Sequence, residues 1–306
     1  MEERKLKLIC LMGITLLFAL PISCSNDNSG SNTRLYHMNE IEGYGYLWQL
    51  GLPDPPLAAE SCVPTSFVNS MVYLQTEYEA ELAGRVLVEE GYSGWTSAAE
   101  TLRSEPFMDT QPSDVIPSGT QAPGEINGIE EYLKLKNVSP PITKLYAMAL
   151  PVLLDGVPNV PEWVDSSPPT LEAIYTELVE GAVVVVGITY EKVQPGEVPT
   201  GHALAVFGVD WIDSNNDGVV DQNENATIAV IDPLDPSENY QDSPPIAIGP
   251  AKKTSIRVWD DESGDLVYSY RQYVGNAADP FNPANFRDDV TGQIGSFASI
   301  NVIGNP

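Results

Sequence analysis

The stretch Glu60–Met71, ESCVPTSFVNSM, places a cysteine two residues ahead of a proline, at the start of an apolar run. Phe67, Met71 and Leu74 recur at helical spacing, and Pro64 stands where the first turn of a helix tolerates proline. Cys62 is therefore expected at or next to a helix N-terminus. The positive end of a helix and a nearby imidazolium are the setting in which a thiol attacks as thiolate. The Cys62 backbone N–H could also serve an oxyanion hole. The chain has three cysteines. Cys10 lies inside an N-terminal leader and Cys24 at its end, so Cys62 is the one thiol expected in the mature protein. It has no intramolecular disulfide partner there. A buried packing cysteine is the competing reading.

A thiol nucleophile needs a base, and there are two histidines. His37 lies in a polar N-terminal stretch, RLYHMNE. His202, in TGHALAVFGV, opens an apolar strand and is the candidate base. Asp232 ends the next strand, in AVIDPLDP, and is the candidate orienting residue, with Asp235 as a second choice. The two strands should pair antiparallel, which puts His202 and Asp232 at the same open end of a hairpin. The arms differ in length, so a bulge or late pairing must absorb the difference.

The hairpin's connecting loop is Asp213–Glu224, DSNNDGVVDQNE. Oxygen-bearing side chains fall at its first, third, fifth, ninth and twelfth positions: Asp213, Asn215, Asp217, Asp221 and Glu224. Gly218 is sixth, where the turn is sharp. Val219 is seventh and would offer its carbonyl, and Val220 is the apolar eighth. This is the calcium-loop pattern of an EF-hand, here flanked by strands. Ca2+ is the expected cofactor, neutralising carboxylates that otherwise repel one another. A self-solvating acidic turn is the alternative.

The blocks SCVPTSFVNSMVYL, GHALAVFGVD and VIDP, in that order, resemble the nucleophile helix, histidine strand and aspartate strand of papain-like cysteine peptidases of the bacteriocin-processing (double-glycine) peptidase-like superfamily. GIEEYLKLKNV and LEAIYTELVEGAVVVVGI resemble further elements of that family, so the likeness spans roughly residues 60 to 232. It implies Cys62 as nucleophile, His202 as general base and then acid, and Asp232 as orienting residue. It also implies an oxyanion glutamine ahead of the cysteine. The upstream glutamine is Gln49, in YLWQLG, separated from Cys62 by a proline-rich loop. Val63 follows the cysteine where the family usually has glycine.

Elements must hold these residues in place. Helical spacing is read in pieces over 77–104, over Gly128–Leu135 and over Leu171–Glu180, the last stopped by Gly181. Residues 105–127 read as loop, and Ile142–Leu154 reads equally as strand or helix. Strands are expected at Ala182–Tyr190, Ala203–Ile212, Thr227–Ile231 and Ser296–Ile303, with a hairpin over Thr254–Tyr273. The expected fold class is α+β, papain-like, with N-terminal helices packed on a C-terminal antiparallel sheet and an EF-hand-like calcium loop in a hairpin. The expected division is a signal peptide over 1–24, a tether over 25–40, the peptidase domain over 41–240 and a C-terminal β extension over 241–306.

The leader has a basic start, MEERKLK, and an apolar run, LICLMGITLLFALPI, too short to span a bilayer comfortably. Export is expected. Cys24 before the flexible SNDNSGSN suggests lipidation of that thiol, with ordinary secretion as the alternative. The net charge is −28, from 15 basic and 43 acidic residues. It argues against nucleic acid as a partner and against charge-driven binding to an anionic membrane. The expected partner is a peptide or protein substrate, with membrane contact only through the lipid anchor. The leading expectation is an exported cysteine peptidase or amide hydrolase. A catalytically inactive, calcium-stabilised surface binding protein on the same scaffold competes with it, as does transfer of the acyl group to an acceptor other than water.

Overall fold

The computed structural model describes residues 32–140, 142–155, 157–192, 200–235, 240–241, 246–247, 253–273 and 286–302. The expected leader, with Cys10 and Cys24, lies outside the described residues. Eleven strands are present among them: β1 (Thr33–Met38), β2 (Lys144–Ala149), β3 (Val164–Asp165), β4 (Val183–Thr189), β5 (Gly201–Asp213), β6 (Thr227–Ile231), β7 (Tyr240–Gln241), β8 (Ile246–Ala247), β9 (Lys253–Asp260), β10 (Leu266–Tyr273) and β11 (Phe286–Asn301). The helices are α1 (Pro55–Ala58), α2 (Cys62–Glu77), α3 (Glu79–Leu82), α4 (Tyr92–Arg103), α5 (Ala122–Leu135) and α6 (Leu171–Val179).

The sheet overturns the expected α+β, papain-like layout of helices on a sheet. β4, β5, β6, β9, β10 and β11 pair in that order, all antiparallel, and β11 returns to pair with β4. This is a closed six-stranded barrel. Three more strands extend it, β1 on β5 and β2 with β3 on β11, giving nine strands in all. β7 and β8 pair separately.

Closure follows from apolar residues on both faces of the strands. Val184, Val186, Leu204, Val206, Ile228, Val230, Ile256, Val258, Tyr268, Val290 and Phe297 are buried together, drawing on all six barrel strands. They fill the interior. The opposite faces of the same strands carry Val183, Val185, Ala203, Ala205, Ala229 and Ile231, which pack with α2. Their small alanines let that helix approach closely.

Register explains why closure was not expected from periodicity. β11 runs 16 residues. Its first half pairs with β10, and its second half runs between β4 and β2. The handover occurs at a register shift between Ile294 and Ser296. Gly292 lies just before it, where an added Cβ would run into the Thr189 carbonyl. An alternation pattern announces a strand but not a change of partner part-way along it. The ambiguous run 142–154 contains β2, and Thr33–Met38, within the stretch read as a tether, forms β1. Among the described residues no helix is long and apolar enough to cross a membrane.

Candidate active site

Cys62 is the first residue of α2, a helix of 16 residues. The chain enters it through a tight local network. Ser61 Oγ donates to Leu57 O at 2.6 Å, and the Thr65 N–H and Oγ both donate to Ser61 O. One turn later Ser66 Oγ donates to Ala203 O at 2.9 Å, which seats the helix on β5 beside His202. The N–H groups of Cys62 and Val63 belong to the first turn, whose donors have no partner inside the helix. Cys62 is a free thiol, partly buried.

His202 and Asp232 meet at the barrel rim. His202 pairs in register with Ile188 of β4, so its ring follows the interior face. The β5–β6 ladder shifts register between Val206 and Gly208, which takes up the unequal arm lengths. His202 Nε2 lies 2.6 Å from Asp232 Oδ1, with both side chains 2% exposed. Asp232 Oδ1 also accepts from the Leu234 N–H at 2.8 Å. Cys62 lies near enough to the same imidazole to favour its charged form. Since Nε2 is engaged by Asp232, Nδ1 is the nitrogen left to face the thiol. Burial opposes the imidazolium, but the Asp232 carboxylate, its hydrogen bond and the Cys62 contact outweigh it. They push the His202 pKa up to about 10. Asp235 does not pair with His202; its N–H donates to Asp232 O at 3.0 Å and helps close the turn.

Gln49 lies beside this group, 1% exposed, in a 3-10 turn over Gln49–Gly51. Its backbone N–H donates to Pro233 O at 2.9 Å. Its side-chain Nε2 donates to Ala59 O at 2.9 Å and, loosely, to Ala58 O at 3.4 Å. Those carbonyls belong to the chain just ahead of Cys62. The side-chain Oε1 is buried and has no partner. In this arrangement the amide donor faces main-chain carbonyls, so it is not free for an oxyanion.

Two residues at the site carried no sequence signal. Trp48 donates its indole N–H to Leu234 O at 2.9 Å. Tyr270, on β10, buries a hydroxyl that has no partner. Burial raises its pKa, and the charges of Asp232 and Cys62 add to the rise. Trp48 stands beside Gln49 without a pattern of its own, and Tyr270 arrives from a distant strand.

At the other end of the hairpin the loop Asp213–Glu224 is closed by its own bonds. Asp213 Oδ2 accepts from the Gly218 N–H at 3.0 Å, Asn215 Oδ1 from the Asp217 N–H at 3.1 Å, and Asp217 Oδ1 from the Val219 N–H at 2.8 Å. Gly218 adopts a φ of 77°. Asn215 Nδ2 donates to both Asp217 and Asp221. Glu224 is turned toward N–H and O–H donors: Ser214 on one oxygen, Trp211 Nε1 at 2.8 Å and the Asp221 N–H on the other. Burial works against its charge, but these bonds prevail and lower its pKa. Among the described residues no three His, Cys, Asp or Glu side chains converge closely enough to hold a metal. Asp213, however, is 4% exposed and its Oδ1 is buried without a partner. An all-oxygen donor set with one unpaired buried carboxylate oxygen fits a hard divalent cation.

No protein-family model matches the chain, and no curated protein matches its sequence.

Proposed function

We propose that the protein is an exported cysteine hydrolase that cleaves an amide or peptide bond. The observation that carries this reading is the buried His202–Asp232 pair at 2.6 Å, with Cys62 at the start of α2 close enough to the same ring to affect its charge. Cys62 would attack the carbonyl carbon, forming a C–S bond while the carbonyl π electrons move to oxygen. The Cys62 and Val63 N–H groups lie where they could stabilise that oxyanion. His202, as imidazolium, would give its proton to the leaving nitrogen as the C–N bond breaks. Its neutral form would then take a proton from water, which attacks the thioester and releases the acid. Asp232 would hold the ring and favour its charged form. Transfer to another acyl acceptor would use the same groups.

Calcium, in this reading, is held by Asp213, Asn215, Asp217, Asp221 and the Val219 carbonyl, with Glu224 joining by giving up donors such as Trp211. Bound there it would neutralise the loop and stiffen the far end of the His202–Asp232 hairpin. The mature N-terminus would be a lipidated Cys24.

A second reading, a binding protein that uses this site without turnover, is favoured by one observation: the Gln49 amide donates to Ala58 and Ala59 rather than standing free. One experiment separates them. The membrane-extracted protein is weighed by intact mass spectrometry, then titrated with iodoacetamide near pH 6, wild type against His202→Ala. Diacyl mass on Cys24 and fast, His202-dependent alkylation of Cys62 are expected. Slow alkylation indifferent to His202 would sink the hydrolase.

A further inference from the structure

The catalytic candidates come from two places, α2 and the β5–β6 hairpin, and a single short segment bonds to both. At its start, the Gly45 N–H donates to Asn69 O at 2.8 Å. Asn69 is fully buried in the middle of α2. Its side-chain Oδ1 accepts from the Leu47 N–H at 2.7 Å, and its Nδ2 donates back to Leu47 O at 3.2 Å. Gly45 makes this approach possible, because a Cβ there would lie 2.9 Å from both Asn69 Cα and Oδ1. Two residues further on the segment reaches the aspartate's turn. The Gln49 N–H donates to Pro233 O and the Trp48 indole N–H to Leu234 O, both at 2.9 Å. Leu234 in turn donates its own N–H to Asp232 Oδ1, the oxygen that faces His202.

We propose that Trp48 is a positioning residue for the candidate triad: its indole N–H holds the Leu234 carbonyl, and across the Leu234 Cα this constrains the Leu234 N–H that sets where Asp232 presents its oxygen to His202. Asn69 fastens Trp48's segment to the nucleophile helix, so the acid is placed relative to Cys62 as well as to the ring. This rests on the reading of Cys62, His202 and Asp232 as one reacting group. Trp48 is 1% exposed, so its N–H has no water to fall back on, and the Leu234 carbonyl satisfies it. The acid's turn follows β6 and is outside the barrel ladder, so side-chain bonds must supply the fixing that strand pairing gives His202.

The chain's two histidines make the test direct. His202 is titrated by its ring Cε1–H resonance in wild type, Trp48→Phe, Asp232→Asn and the double variant. Trp48→Phe keeps an aromatic ring and deletes the N–H. It should lower the His202 midpoint by about one pH unit, and should have no further effect once Asp232 is Asn. An unchanged midpoint in Trp48→Phe, or the same shift with and without Asp232, overturns the proposal. Should Trp48→Phe not fold, the wild-type indole Nε1–H resonance of Trp48 decides. It should move through the same midpoint as His202, and a flat resonance across that titration overturns the proposal. Neither readout needs turnover. Slow Cys62 alkylation alongside a coupled Trp48 would remove the hydrolase and leave the brace in place.

Discussion

The β5–β6 hairpin has two ends that solve the same problem, clustered charge, by opposite means. At the rim, Asp232 faces one partner ring at 2.6 Å with both side chains 2% exposed. At the loop, Asp217, Asp221 and Glu224 sit in a single turn open to solvent, Asp217 and Glu224 tied to backbone N–H groups and Asp221 to the Asn215 side-chain amide within the same dozen residues. Burial at the rim raises the cost of any unpaired charge, so the pair must be complete before the fold is stable. Exposure of Asp217, Asp221 and Glu224 makes each of these charges cheap and each bond weak, so none of the three decides the structure, while Asp213 alone among the loop's carboxylates is buried. One end is therefore sensitive to the loss of one partner, and the other to the ions around it.

The largest expected effect separates the ends by substitution. Asp232→Ala leaves the buried His202 ring unpaired or forces off its proton, and should cost about 3–5 kcal/mol in denaturant unfolding. Asp217→Ala, in the exposed loop without added cation, should cost about 1 kcal/mol or less. Equal losses would erase the distinction. The Asp232 effect should also depend on pH. His202 binds its proton more tightly folded than unfolded, so the pair's contribution is complete below the unfolded value, about 6.5. It then declines as pH rises and is gone above the folded value of about 10.

The next effect is ionic. Calcium at a hundredfold excess over its dissociation constant should stabilise the protein by about 2.7 kcal/mol, read as a higher Tm than in EGTA. It should also change the fluorescence of Trp211 as Glu224 leaves the indole N–H. A Tm indifferent to calcium would make the loop a self-satisfied turn and nothing more.

The ends also differ in how far the sequence discloses them. The loop's ligand pattern sits within 12 consecutive residues, and its glycine falls at the positive φ the pattern requires. Cys62 at a helix start was legible from Pro64 and the apolar spacing after it. His202 beside Asp232 was legible through hairpin logic, because the link between them is short. The barrel was not. Its closure depends on β11 changing partners from β10 to β4, a contact of high sequence separation that leaves no mark on alternation. Gln49 was read for its type, and type says nothing of direction; the fold turns its amide toward Ala58 and Ala59. Trp48 and Asn69 had no local signal at all, since their meaning lies in which carbonyls they meet.

The smallest expected effect tests whether the loop end acts beyond itself. Thr33 donates its N–H and hydroxyl to Asn216 Oδ1, at 3.0 and 3.2 Å, and so joins β1 to the loop. Asn216 has a φ of 58° and is not one of the calcium-pattern positions. Asn216→Gly keeps that backbone conformation without strain and deletes only the acceptor. Global stability should fall by about 1 kcal/mol at most. The amide of Thr33 should exchange with solvent about tenfold faster, while those of Leu35 and His37 change less, because their strand pairing with β5 is untouched. Calcium affinity should stay the same. If β1 loosens along its whole length, Thr33 and Asn216 are what hold the strand, and the loop governs the N-terminal edge of the sheet. If the Thr33 amide is unaffected, the loop and β1 are independent, and the hairpin's exposed end answers only to its own ion.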